Sequence, residues 1–190
     1  MRGGFSVPFK EIRDNVRELS GLLASAADQV ETEMSANGSK TDDLILRLPE
    51  SVFDLQLYSR AIQVFGAMAV EAALNTYGLM RFGADQLEAY RGGIKRKLHD
   101  FLDHKYATPF AKDDPVVIAM GRLVARRNAI VHAKADESTV DEHGQFTYVT
   151  PRNWPPVTVE AAVASIDEME LFFKEFPHRD PDTAMFFLTY

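Results

Sequence analysis

The stretch from Ala61 to Leu79 is apolar or small on nearly every side, with Ile62, Val64, Phe65, Met68, Val70, Leu74 and Leu79 distributed around the helix rather than gathered on one stripe. A helix with so little solvent face must be covered by others, so the expected fold is all-α: an up-and-down bundle of about five helices with this one at its centre. Ser51 followed by Asp54 resembles a capping box and Gly83 supplies a stop signal, so this helix should run from about Ser51 to Arg81. Glu71 breaks the pattern. With Asn75 one turn on, and with Arg60, it makes a polar strip on a helix that otherwise avoids polarity.

The remaining segments read as partners for that helix. Phe9, Ile12, Val16, Leu19, Leu22, Leu23, Ala26 and Val30 recur at three-and-four spacing, which predicts an amphipathic helix from Pro8 to about Ala36. The polar run Asn37 to Asp43 is an exposed loop, and Leu44 to Pro49 a short apolar segment with no function assigned. A third helix, about Ala84 to Tyr106, is interrupted at Gly92-Gly93. Thr139 to Thr150 alternates as a small β-hairpin turning near His143-Gly144, a β-insertion before the last helix. Pro151 to Pro156, with Trp154, then leads into a final helix from about Thr158 to Phe176. The terminal Met185-Phe186-Phe187-Leu188 is too apolar to stay in water and is expected to pack in a groove.

Composition narrows the class. The 190 residues suit a single domain spanning 1–190, with a core over about 51–177. Zero cysteines exclude disulfides and thiolate chemistry and fit a reducing cytoplasm, the expected location given the lack of a signal-like apolar stretch after Met1. No apolar run approaches the roughly 20 residues that cross a bilayer, so no membrane is expected. The formal charge of −7 argues against coating nucleic acid through bulk electrostatics, though it leaves room for a locally basic cleft.

Candidate chemistry concentrates in Arg126-Arg127-Asn128-Ala129-Ile130-Val131-His132. Asp114-Pro115 is a helix start, an N-cap oxygen followed by a proline whose missing N–H costs nothing in the first turn, and the helix should extend from Pro115 to about His132. Val116, Met120, Leu123, Val124, Ile130 and Val131 gather on one side, and Arg127 falls among them. A guanidinium there needs a carboxylate, a phosphate or a wet cleft. Asn128 and His132 share a face beside it, and Gly121 leaves open space on the same strip. Two assignments stay open: Arg127 pairs with an internal acid while His132 sits at the negative end of the helix dipole, or Arg127 holds an anionic phosphate while His132 moves protons.

The run Arg127-Asn128-Ala129-Ile130-Val131-His132 resembles the motif of the HEPN superfamily: Arg, a polar residue, three variable positions, His. The lead-in Leu123-Val124-Ala125-Arg126 and the upstream Glu71-Ala72-Ala73-Leu74-Asn75 are also similar to members of that superfamily, over roughly Ser51 to Pro177. The resemblance implies a helical-bundle endoribonuclease, without metal or other cofactor, acting in a defence or toxin-type stress response. In it a ribose 2′-hydroxyl attacks the adjacent phosphorus, His132 assists proton transfer, Arg127 stabilises the added charge and Asn128 steadies the histidine or a phosphate oxygen. It also implies a homodimer whose paired motifs share one cleft, an RNA substrate and a regulatory protein partner. Glu71, with Asn75, is expected to orient Arg127, and Arg126, Lys134 and the Lys95-Arg96-Lys97 run are candidate RNA contacts. Some toxin members carry a tyrosine two residues past the histidine, where this chain has Lys134, so modification at that point does not carry over. Two rivals accompany this assignment: a non-catalytic HEPN-like dimeric interaction or nucleotide-sensing module, and a metal site built from the i, i+4 pairs His99/Asp103 and Asp100/His104.

Overall fold

The computed structural model describes residues 8–37, 50–132, 139–140, 146–147 and 158–182. Among these are six α-helices: α1 (Pro8–Asn37), α2 (Glu50–Phe82), α3 (Ala84–Ala89), α4 (Ile94–Asp100), α5 (Pro115–Val131) and α6 (Val159–Glu175), which runs into a 3-10 turn (Phe176–Arg179). The chain is therefore all-α. None of its described helices is long and apolar enough to cross a membrane.

Side-chain contacts fix the helix directions. Ser51 at the start of α2 donates to Glu33 near the end of α1 at 2.6 Å, so these two run antiparallel. Phe9 stacks on Phe173 at 5.7 Å, while Arg13 and Arg17 both bind Glu170, which sets α1 antiparallel to α6 as well. Arg122 reaches Glu168 and Arg126 reaches Ser165, the crossing pattern of an antiparallel α5–α6 pair. The four long helices thus go up, down, up, down, with α3 and α4 inserted between the second and third. Phe9, Val16 and Leu23 of α1, Ile62, Val70, Leu74 and Tyr77 of α2, Met120 and Leu123 of α5, and Met169, Phe172 and Phe176 of α6 are all buried. Each such side chain contributes roughly 1.5–3 kcal/mol of transfer free energy, an upper bound against a compact unfolded chain.

Several boundaries differ from those the sequence suggests. Ser51 lies inside α2 and spends its hydroxyl on Glu33 rather than on a capping box. The segment from Ala84 breaks into two short helices and ends at Asp100, because Tyr90 turns extended before Gly92-Gly93 and Phe101 folds back onto α2. Gly78 makes that return possible: a Cβ there would lie 2.7 Å from Phe101 Cε2 and 3.1 Å from Leu87 Cδ1. Gly83, at φ 84° and ψ 170°, occupies a conformation open essentially to glycine alone and turns the chain out of α2. Thr139–Val140 and Phe146–Thr147 form a two-residue antiparallel pair, Val140 opposite Phe146. The rest of the 139–150 hairpin, the 38–49 connection, the segment around Trp154 and the tail from residue 183 lie outside the described residues.

Among the described residues, the central helix is covered over only part of its circumference. Its inward residues are buried, but Phe53 and Leu57 are 60% and 61% exposed, and Phe65, Met68 and Leu79 are also open. The described helices packed against α2 shield only part of its circumference, and an apolar sequence all round leaves the remainder bare.

Candidate functional site

Helix α5 starts as its sequence dictates. The Asp114 carboxylate accepts the Val116 N–H at 2.9 Å, Pro115 occupies the first turn, and the helix ends at Val131 with His132 as its C-cap. Val116, Ala119, Met120 and Leu123 form the buried stripe. Val124 and Ile130 are half-buried and Val131 is 49% exposed, so the stripe leaves the core about where the basic motif begins.

Within that last turn the three motif residues have different surroundings. Arg127 is half-buried and its Nη1 donates to Asn128 Oδ1 at 3.0 Å; no carboxylate pairs with it among the described residues. The His132 N–H closes the helix on the Asn128 carbonyl at 2.9 Å, and its ring is exposed at the negative end of α5, where a cation is favoured. Five residues separate Arg127 from His132, about 140° around and about 7.5 Å along a regular helix. Asn128 links them through its side chain on one side and its carbonyl on the other.

The internal acid envisaged for Arg127 exists, but it belongs to Arg126. Arg126 Nε donates to Ser165 Oγ at 2.9 Å and its Nη2 binds Glu168, which is buried and also takes Arg122 Nε at 2.8 Å. Two of the three arginines of α5 thereby share the one Glu168 carboxylate of α6, Arg122 from the surface and Arg126 from a mostly buried position, so Arg126 is a structural cation rather than a free RNA contact. Of the three, only Arg127 keeps its charge without an acid among the described residues.

Glu71 and Asn75 do not support Arg127 in the described structure. Both face α4, where the buried Lys97 places its ammonium 2.6 Å from Asn75 Oδ1 and 3.5 Å from Glu71 Oε1. The polar strip on α2 is thus a socket for Lys97, which removes that residue from any RNA-facing role. Arg96 is exposed and bonded to Asp100 at 3.2 Å. Lys95 lies across Gly121, where a Cβ would be 2.7 Å from its Nζ, so the space expected beside Gly121 is filled by this side chain. Lys134 lies outside the described residues.

The His99 and His104 pairs are differently employed. His99 Nδ1 lies 3.3 Å from Asp100 Oδ1, and no cluster of three or more ligand-type side chains occurs among the described residues. His104 Nδ1 accepts the Tyr106 N–H at 3.3 Å, and its Nε2 is 2.7 Å from the Tyr77 hydroxyl. Tyr77 has a single proton, which it donates to Asp180 Oδ2 at 2.7 Å, so the Nε2–H of His104 is the donor to Tyr77. Arg81 binds the same carboxylate through Nε at 2.7 Å and through Nη2. Burial alone would raise the Asp180 carboxyl, but the hydrogen bonds from Arg81 and Tyr77 overcome it and hold Asp180 below the usual range. Burial and the adjacent carboxylate push the Tyr77 phenol well above its ordinary value. This cluster, with Tyr77 and Asp180 fully buried and Arg81 and His104 partly exposed, ties the end of α6 to the end of α2. Tyr77 and Arg81 are one turn apart and visible in the sequence, but nothing there points to an aspartate about a hundred positions later.

No family model matches the chain, and no curated protein or solved structure matches it either.

Proposed function

We propose that the protein is a metal-independent endoribonuclease of HEPN type that cleaves RNA by 2′-hydroxyl attack, leaving a 2′,3′-cyclic phosphate. The observation that carries this proposal is the isolation of Arg127: its neighbours Arg122 and Arg126 are both ion-paired with Glu168, whereas among the described residues its guanidinium meets only the Asn128 side chain, beside an exposed His132. A half-buried cation with no acid among the described residues is suited to an anionic ligand, and a phosphorane is such a ligand at the moment its charge is greatest. His132 supplies the proton transfer and Asn128 steadies the pair.

The active form is a homodimer. Arg127 and His132 of one helix diverge by about 140°, so a phosphate held by both is better completed by the same motif of a second copy. Gly66 faces Leu123 across the antiparallel α2–α5 pair, whereas the exposed Leu57 lies nine residues from Gly66, about 180° around α2, and points away from α5. A regulatory protein would act by occupying the cleft shared by the two motifs.

The test is RNA cleavage in EDTA by the wild type and by folded Arg127→Ala and His132→Ala variants. Each substitution should lower the rate by about 10²- to 10⁴-fold, the products should carry cyclic phosphate ends, and light scattering should give a dimer at micromolar concentration. A wild type inert on several structured and unstructured RNAs overturns the proposal. One feature favours a non-catalytic, nucleotide-sensing module instead: no described side chain orients the His132 ring. In that case a nucleotide raises the melting temperature, Arg127→Ala abolishes the rise, and no RNA is cut.

A further inference from the structure

A second basic feature lies about 15 Å up α5 from Arg127, between α4 and the segment that enters α5. A cavity of about 160 Å³ opens there, floored by Leu98, Phe110 and Val117 and rimmed by Lys95, His99 and Lys112. Leu98 and Phe110 are buried core residues, so the floor is fixed, and Arg179 stacked 4.3 Å over the Phe110 ring holds that ring in place. The two lysines come from different parts of the fold. Neither has a carboxylate partner among the described residues, although the chain carries 28 acids against 21 lysines and arginines. Of the neighbouring acids, Asp114 caps α5 and binds Arg179 at 3.0 Å, Asp100 takes Tyr90, Arg96 and the rim residue His99 at 3.3 Å, and the exposed Asp113 beside Lys112 does not line the cavity. No carboxylate lines the cavity among the described residues.

Lys95 is seated rather than loose. Its terminal methylene and ammonium lie where a Cβ on Gly121 would come within 2.5 and 2.7 Å, so the glycine lets the amine rest against α5 beside the mouth. An apolar cavity of about 150 Å³ accepts a benzene-sized ring, and a carboxylate or phosphate attached to that ring would emerge between the two ammonium groups.

We infer that this cavity is a binding site for a small organic anion, one ring-sized apolar body carrying a carboxylate or a phosphate, with Lys95 and Lys112 holding the charge. The site is independent of the nuclease proposal and needs neither Arg127 nor His132.

Phenyl phosphate, benzoate, inorganic phosphate and benzyl alcohol serve as probes, followed by calorimetry and by amide chemical shifts of the full chain. Both aromatic anions should bind with dissociation constants of about a millimolar or below, as expected for ligands of about ten heavy atoms. Shifts should centre on Leu98, Phe110 and Val117. Inorganic phosphate and benzyl alcohol should each bind at least about tenfold more weakly, since each lacks one half of the recognised group. Lys95→Gln and Lys112→Gln should each weaken phenyl phosphate by about fivefold, Gly121→Ala should do the same by evicting the Lys95 amine, and Val117→Phe should abolish binding by filling the cavity. If Val117→Phe does not fold, the surface substitution Lys112→Glu takes its place and should abolish binding by charge reversal. No binding of either aromatic anion at about 10 mM, equal binding of benzyl alcohol, or affinity unmoved by the lysine variants overturns the inference. Shifts confined to Arg127–His132 overturn it too. Loss of RNA cleavage with anion binding intact supports the cavity site and strikes only the nuclease proposal.

Discussion

Replacing Asp180 by Asn tests whether the end of α6 is locked to α2 by a buried charge. The wild-type carboxylate is fully buried and accepts two bonds from Arg81, one from the Tyr77 hydroxyl and one from the Asp182 N–H at 3.2 Å. An asparagine keeps the shape but removes the charge and turns one acceptor into a donor facing other donors. Breaking one side of a buried ion pair costs about 3–5 kcal/mol. Arg81 is 20% exposed and can recover some hydration, so about 2–4 kcal/mol is expected here. With a urea m-value of about 2 kcal/mol/M, the midpoint of unfolding followed at 222 nm should fall by about 1–2 M. Tyr77→Phe, which removes one bond and leaves the His104 Nε2–H without its acceptor, should cost about 1–2 kcal/mol. The two substitutions together should cost less than their sum, because both act on the same carboxylate. The wild-type pH profile follows from the same group. Its carboxyl is depressed in the folded state, so its stabilisation is complete above the ordinary aspartate value and drains away as the pH drops through the lower, folded one. A midpoint for Asp180→Asn within about 0.3 M of wild type would refute the lock.

Gly78→Ala should destabilise by about 1–3 kcal/mol by driving a methyl into the Phe101 ring, whereas Gly121→Ala should be neutral or gain up to about 1 kcal/mol of helix propensity, because only the end of the Lys95 side chain must move; thermal melts compare them. Tyr90, pushed up to about 12 by burial and by its hydrogen bond to Asp100, should be missing from the phenolate absorbance that develops near pH 10, and its contribution to stability should be lost as the pH rises from about 10 to 12. Glu170 is raised by burial but held below its ordinary value by Arg13 and Arg17, so the α1–α6 tie weakens as the pH falls below about 4.5. Glu170→Gln should flatten that part of the acid-unfolding curve.

The local signals were legible because they act over one or two turns. Asp114-Pro115 began α5 with the Val116 N–H donating to the Asp114 carboxylate, and Gly83 ended α2 by adopting a φ that other residues avoid. The apolar periodicity of α1 likewise named most of the face that became buried, Leu22 excepted. Long-range polar pairing was a different matter. Helical spacing set Arg127 amid apolar positions, yet it could not say that the core thins out by that turn, nor that Glu168 would take Arg122 and Arg126 and leave Arg127 without an acid among the described residues. Glu71 and Asn75 were visible as an oddity of α2, but their partner could be read only from the fold, which brought Lys97 across from α4.

From sequence alone came the four long helices, the Asp114 cap of α5 and the nature of the charged groups, since these depend on backbone geometry and on neighbours within about four residues. Tertiary packing decided which charges cancel and which remain, because an ion pair is set by the few ångströms between side chains that the chain separates by up to a hundred positions. It also left one side of α2 uncovered by the described helices, which no periodicity within that helix foretold, because coverage depends on how many neighbours the bundle places around it.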